Sequence, residues 1–126
     1  MKVVDGSTTQ LADTAKNPVE YPQPSTQKKG CGFPVMKLAV LFSLASGAIL
    51  DVVTGNLHGH DLRLFRQLWD CLRSGDILMG DRACGEYATV AGLQQRAVDV
   101  IARLHQSRKV DFRKAKRLGK NDGLFT

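Results

Sequence analysis

The sequence predicts an α/β domain built on a mixed sheet. Three observations carry that expectation. Two apolar runs rich in β-formers, Val35 to Ser43 and Ala48 to Val53, flank Ser46-Gly47, the signature of an antiparallel hairpin. Two stretches at helical spacing follow, and each is succeeded by a short apolar run of strand length. The chain of 126 residues suffices for one domain with one core.

In chain order, Lys2-Val3-Val4-Asp5 reads as an opening strand. From Gly6 to Gly32 the sequence holds Pro18, Pro22 and Pro24, few large apolar residues and Gln27-Lys28-Lys29-Gly30. We read residues 7–34 as a long surface excursion, and excursions of that length in compact domains tend to be functional. The hairpin comes next, punctuated afterwards by Gly55 and Gly59. Leu62, Phe65, Leu68, Trp69 and Leu72 then mark an amphipathic helix from Asp61, whose carboxylate suits the positive end of the helix dipole. Ser74-Gly75 ends it, and Asp76 to Asp81 is a buried strand closed by Gly80 and an acid. A second helix spans Glu86 to Arg96, and Val98 to Leu104 is a further strand. Right-handed crossovers set the strand after the first helix beside the opening strand. The domain is expected over residues 1–105, with a basic tail over 106–126.

Charge is distributed unevenly. The net +6 lies wholly beyond Asp99: ten bases and ten acids balance over residues 1–99. The tail sets Arg103, Arg108, Lys109, Arg113, Lys114, Lys116, Arg117 and Lys120 against Asp111 and Asp122. Such asymmetry points to a polyanion partner or, more blandly, to a solvated basic surface. No apolar run approaches the roughly 20 residues of a membrane span, and no secretory signal opens the chain. Cys31, Cys71 and Cys84 are odd in number and lack metal-ligand spacing, which suits reduced thiols in a cytosolic setting.

The predicted crossovers bring Asp5 and Asp81 to one crevice from neighbouring strands. Two converging carboxylates repel unless a cation lies between them. A hard divalent ion such as Mg²⁺ accepts one or two protein carboxylates and completes its shell with water and substrate phosphates. In two-metal phosphoryl transfer the ions, about 3.5–4 Å apart, stabilise the attacking and leaving oxygens. On spacing alone, ordinary turn or cap acids are the favoured reading of Asp5 and Asp81. His58 and His60 read as the turn leading into a helix rather than as a metal pair. Cys84 has no readable Cys-His-acid partners and reads as an incidental thiol.

The residues around these acids add a resemblance. Asp5-Gly6-Ser7-Thr8, Leu11-Ala12-Asp13-Thr14, the run from Gln23 to Pro34, Gly75-Asp76-Ile77-Leu78, Asp81-Arg82, Val98-Asp99-Val100 and Lys116-Arg117-Leu118-Gly119-Lys120 resemble the catalytic domain of bacterial DDE transposases. The nearest group is the insertion-sequence-four transposases, and the resemblance spans nearly the whole chain. It implies a ribonuclease H-like mixed sheet, a three-strand meander followed by helix-linked strands, incomplete at both ends. It further implies DNA transposition by divalent-metal-assisted cutting and joining of strands, with Mg²⁺ or Mn²⁺ as cofactor. Transposon ends and target DNA are the implied partners, in a bacterial cytoplasm at the nucleoid, with no membrane. The family's first two acids map onto Asp5 and Asp81 as catalytic metal ligands.

The family's third acid is a Glu within a downstream Tyr-Arg-Glu-Lys type signature. This chain has only Glu20 and Glu86, and neither lies in such a signature. The expectation is therefore an internal piece of a transposase, inactive alone, with a remnant that binds DNA non-specifically as the alternative. Where the family follows its second Asp with x-Gly-aromatic, this chain reads Arg82-Ala83-Cys84, and Ala83 would be strained if that position required φ > 0. Lys28, Lys29, Arg103, Arg108, Lys109, Arg113, Lys114, Lys116 and Arg117 are the candidate DNA contacts, as phosphate clamps that position without reading sequence.

Overall fold

The computed structural model describes residues 1–28, 30, 32–120 and 122–125. Five strands form a mixed sheet: β1 (Lys2–Gln10), β2 (Val35–Ser43), β3 (Ile49–Asn56), β4 (Ile77–Gly80) and β5 (Asp99–Ala102), in the order β3-β2-β1-β4-β5. β1 pairs antiparallel with β2, and β2 with β3. β4 lies parallel to both β1 and β5. A short helix, α1 (Asn17–Glu20), sits in the connection before β2. The crossovers carry α2 (Asp61–Gln67), continued by a 3-10 turn at Leu68–Cys71, and α3 (Tyr87–Gln94).

Both crossover helices pack on one face of the sheet. Side chains alternate along a strand, so the register that pairs Val4 with Leu41 and Lys2 with Leu78 puts Val4, Ala39, Leu41 and Leu78 on that face. Leu64, Phe65, Leu68, Leu93 and Val98 close over them in one buried cluster. Trp69 joins the two helices: its ring meets Phe65 edge-on at 5.9 Å and leaves no room for a Cβ at Gly92. Truncating Leu68, Leu78 or Leu93, all without solvent exposure, would cost about 2–5 kcal/mol each. The opposite face presents Val3, Val40, Phe42, Val52, Met79 and Ile101, with Ile49 largely exposed beside them.

Several expected boundaries differ: β3 runs past Val53 through Gly55 to Asn56, β5 covers Asp99–Ala102 rather than Val98–Leu104, and the two largest differences lie in β1 and the tail. The opening strand does not stop at Asp5: Gly6 to Gln10 continue in unbroken register against Ala39 to Val35. Ser7-Thr8-Thr9-Gln10 carry no apolar alternation, but Thr is β-branched and fits an extended backbone. The excursion therefore begins at Leu11, whose N–H bonds the Pro34 carbonyl at 2.8 Å and closes the loop at its base. Inside it, the Gln23 amide donates to the Lys28 carbonyl at 2.9 Å and accepts from the Gly30 N–H at 3.1 Å.

The second difference is the tail. Residues beyond Asp111 form a 3-10 turn at Phe112–Lys114 and an antiparallel pair, β6 (Lys116–Gly119) with β7 (Asp122–Leu124). Phe112 and Phe125 meet at 6.1 Å and give this small unit its own apolar contact.

Candidate active site

β4 ends at Gly80, level with Val4 near the start of β1, so the β1 edge beyond that point is paired only with β2. The register pairs Lys2 with Leu78 and Val3 with Met79, and the same offset carried two residues further sets Asp5 level with Asp81. Asp5 and Asp81 both contribute to the lining of one open cavity of about 460 Å³ at the carboxyl end of β4, and Asp5 also borders the opposite face of the sheet beside Val40 and Phe42. Crevices at the carboxyl ends of parallel strands are the usual binding position in sheets of this kind. Val4, Ala39, Leu64 and Phe65 make the apolar wall, and Lys37 and Asp61 complete its charged lining.

Local hydrogen bonds fix each acid. Asp81 has extended backbone and caps the 3-10 turn Arg82–Gly85, its Oδ1 accepting the Ala83 N–H at 2.8 Å. Asp5 Oδ1 accepts the N–H of Gly6 at 2.9 Å. Among the described residues, neither Oδ2 accepts a hydrogen bond, so each carboxylate keeps an oxygen for a ligand. Gly80 permits the turn to fold back: a Cβ there would collide with Cys84 Sγ and press on Val4.

Ala83 does not have positive φ, so the strain foreseen if its position required φ > 0 does not arise. Ala97 is the sole non-glycine with positive φ among the described residues. Cys84 is buried beneath the turn, and desolvation followed by the charge of Asp81 pushes its thiol up to about 11. It stays protonated at neutral pH, which removes it as a nucleophile. His58 and Gly59 donate backbone N–H groups to Asn56 Oδ1 at 3.1 and 3.0 Å, and His60 occupies the N-cap of α2. The histidine stretch is thus a turn into a helix.

The proposed DNA contacts lie elsewhere. Lys28, Arg103, Arg108, Lys109, Arg113, Lys114, Lys116 and Arg117 are exposed, and none lines the cavity. Lys29 falls outside the described residues. Arg108 reaches back to the Gly85 carbonyl at 3.4 Å, and Arg82 to Gln106 Oε1 at 3.3 Å, which brings residues 106–108 over the turn that Asp81 caps. Arg113 forms a two-point pair with Asp111 at 2.8 and 3.0 Å, which holds the Asp111 carboxyl below its ordinary range. Sequence reading missed Lys37 and Asp61 as cavity residues. The available signal was Lys37 itself, the one charge within the apolar run Val35–Ser43.

As donors for a metal, Asp5 and Asp81 meet the minimum that a hard cation asks of protein. Among the described residues there is no group of three or more His, Cys, Asp or Glu arranged to hold a metal ion. Glu86 occupies the N-cap position of α3 without a side-chain capping bond and is absent from the cavity wall, and Glu20 lies in α1. No helix is long and apolar enough to cross a membrane among the described residues. Compared with known families, residues 2–125 match the one described as the transposase DDE domain. No curated protein and no solved structure matches the chain.

Proposed function

The chain belongs to the transposase DDE domain family, and from that premise we propose that it is the metal-binding part of an insertion-sequence-four type transposase, with Asp5 and Asp81 as two of its catalytic metal ligands. The observation that carries this reading is that two acids, Asp5 on β1 and Asp81 just past the end of the neighbouring parallel β4, border one cavity. The strand order and the mixed pairing support a ribonuclease H-like sheet.

Asp5 and Asp81 are the residues that would hold Mg²⁺ or Mn²⁺, and a divalent ion held there would supply Lewis-acid stabilisation of the charge on a DNA phosphodiester. The chain's residues do the positioning. The Ala83 and Gly6 N–H groups each fix one carboxylate oxygen, so each acid presents the other with little freedom to lose. Buried Cys84 and the Leu64–Phe65 wall hold the floor of the cavity apolar, which strengthens electrostatics within it. The basic residues from Arg103 to Arg117, together with Lys28 and Lys29, hold duplex DNA by its phosphates. Such a protein works at the bacterial nucleoid on transposon ends and target DNA.

A third acid has no counterpart among the glutamates of the sequence, so the 126-residue chain alone binds DNA without cutting it. Joined to a segment bearing a Tyr-Arg-Glu-Lys signature, the chain should cleave strands, and Asp81→Asn should lower cleavage at least about a hundredfold while binding persists. Undiminished cleavage contradicts the assignment. Metal-dependent nicking by the chain alone, abolished by Asp5→Ala, contradicts its inactivity.

A further inference from the structure

Lys37 is the only Lys or Arg among the described residues lining the cavity that holds Asp5 and Asp81. The other charged groups of that wall are the acids Asp5, Asp61 and Asp81. A DNA strand brought to this wall meets three carboxylates and a single cation. We propose that Lys37 is a phosphate-binding residue of the site, held in position by the Gly59 carbonyl and masked by Asp61 until DNA replaces that carboxylate. The proposal rests on the DNA reading of the preceding subsection.

Geometry and chemistry support an exchangeable partner. Lys37 rises from the middle of the sheet, on β2, opposite Thr8 of β1 and Gly55 of β3. Its ammonium donates to the Gly59 carbonyl at 2.8 Å and to Asp61 Oδ1 at 2.9 Å. An ammonium has three donors, so one N–H is left over from these two bonds. The Lys37 side chain is 20% exposed, whereas that of Asp61 is 77% exposed. A pair with one member so open to water contributes little, and its carboxylate regains hydration when it turns away. The bond to Gly59 survives that exchange and keeps the cation at the cavity wall. Lysine suits the task because it binds phosphate as a compact point charge.

A purely structural pair would make Lys37→Gln and Asp61→Asn act in the same direction, since each breaks the contact between them. Phosphate binding makes them opposite. The test titrates a duplex oligonucleotide into the purified 126-residue chain by fluorescence anisotropy, over a series of salt concentrations without divalent metal. Lys37→Gln should weaken binding about threefold or more at low salt and reduce the log–log salt slope by about 0.9. Asp61→Asn should bind as tightly as the parent chain or about twofold tighter, because an opposing charge is removed. Lys37→Arg should keep the slope. Equal weakening by Lys37→Gln and Asp61→Asn, or an unchanged slope in Lys37→Gln, overturns the proposal. In the latter case a slope that still responds to tail substitutions leaves the DNA reading standing. Absence of any binding by the parent chain overturns both. Should Lys37→Gln fail to fold, weaker binding by Asp61→Asn or a lost slope in Lys37→Arg overturns it equally.

Discussion

Asp76 shows how a single carboxylate can be read for both structure and pH response. Lys2 Nζ lies 2.7 Å from Asp76 Oδ2 and 2.6 Å from the Cys71 carbonyl, tying the start of β1 to the approach to β4. The Lys2 bond, aided by the Arg73 N–H at 2.7 Å, lowers the Asp76 carboxyl below its ordinary value. A carboxylate lowered in the folded state stabilises the fold above its unfolded pKa of about 4, and that contribution fades as pH falls through the lower folded value. Lys2→Met should therefore cost about 1–2 kcal/mol at pH 7. The difference from the parent chain should shrink below about pH 4, as followed by urea unfolding at a series of pH values. A constant difference across that range would place the effect in packing instead. This pair was not legible in the sequence, because the expected adjacency of the two strands left open the register that brings residues 2 and 76 together. The place of Asp81 was legible, because a short run of three apolar residues followed by Gly-Asp leaves its acid at a strand end.

Among the elements, the hairpin and both crossover helices were readable from periodicity and turn residues. β2 keeps the boundaries read from its apolar run, Val35–Ser43. The second half of β1 was hidden by polar side chains that match neither period, and its strand form comes from pairing with β2. The end of α3 holds a smaller surprise. The Val98 N–H bonds the Leu93 carbonyl at 3.0 Å, and buried Val98 and Leu93 share the core, as in a Schellman termination. The residue in the left-handed position is Ala97, at φ 55°, where glycine is usual. Ala97→Gly should stabilise the chain by about 1 kcal/mol and raise Tm by about 4 °C. Calorimetry that finds a lower Tm would show that the termination is held by its neighbours rather than by local backbone preference.

Over the whole molecule, charge and chemistry are separated. The balanced sheet domain carries the candidate site, and the net +6 sits beyond it on the segment that ends in β6 and β7. Non-specific DNA binding should accordingly fall steeply with salt. With about five phosphates contacted, a fourfold rise in salt should cost several-hundred-fold in affinity. Replacing Lys114, Lys116 and Arg117 by Ser should flatten that slope more than replacing Arg113, whose charge is already met by Asp111. A slope unaffected by all four would move the contact surface to the loop before β2. The cavity itself could not be read from composition, since its wall draws on β1, β2, α2 and the turn after β4.

The central claim is that Asp5 and Asp81 together hold a divalent cation. Paramagnetic broadening by Mn²⁺ of amide resonances in the 126-residue chain tests it most directly, because the Gly6 and Ala83 N–H groups donate to those two carboxylates. Sub-stoichiometric Mn²⁺ should broaden Gly6 and Ala83 first, excess Mg²⁺ should restore them, and Asp5→Asn or Asp81→Asn should abolish the effect at both. Broadening centred elsewhere, or surviving both substitutions, would contradict the account.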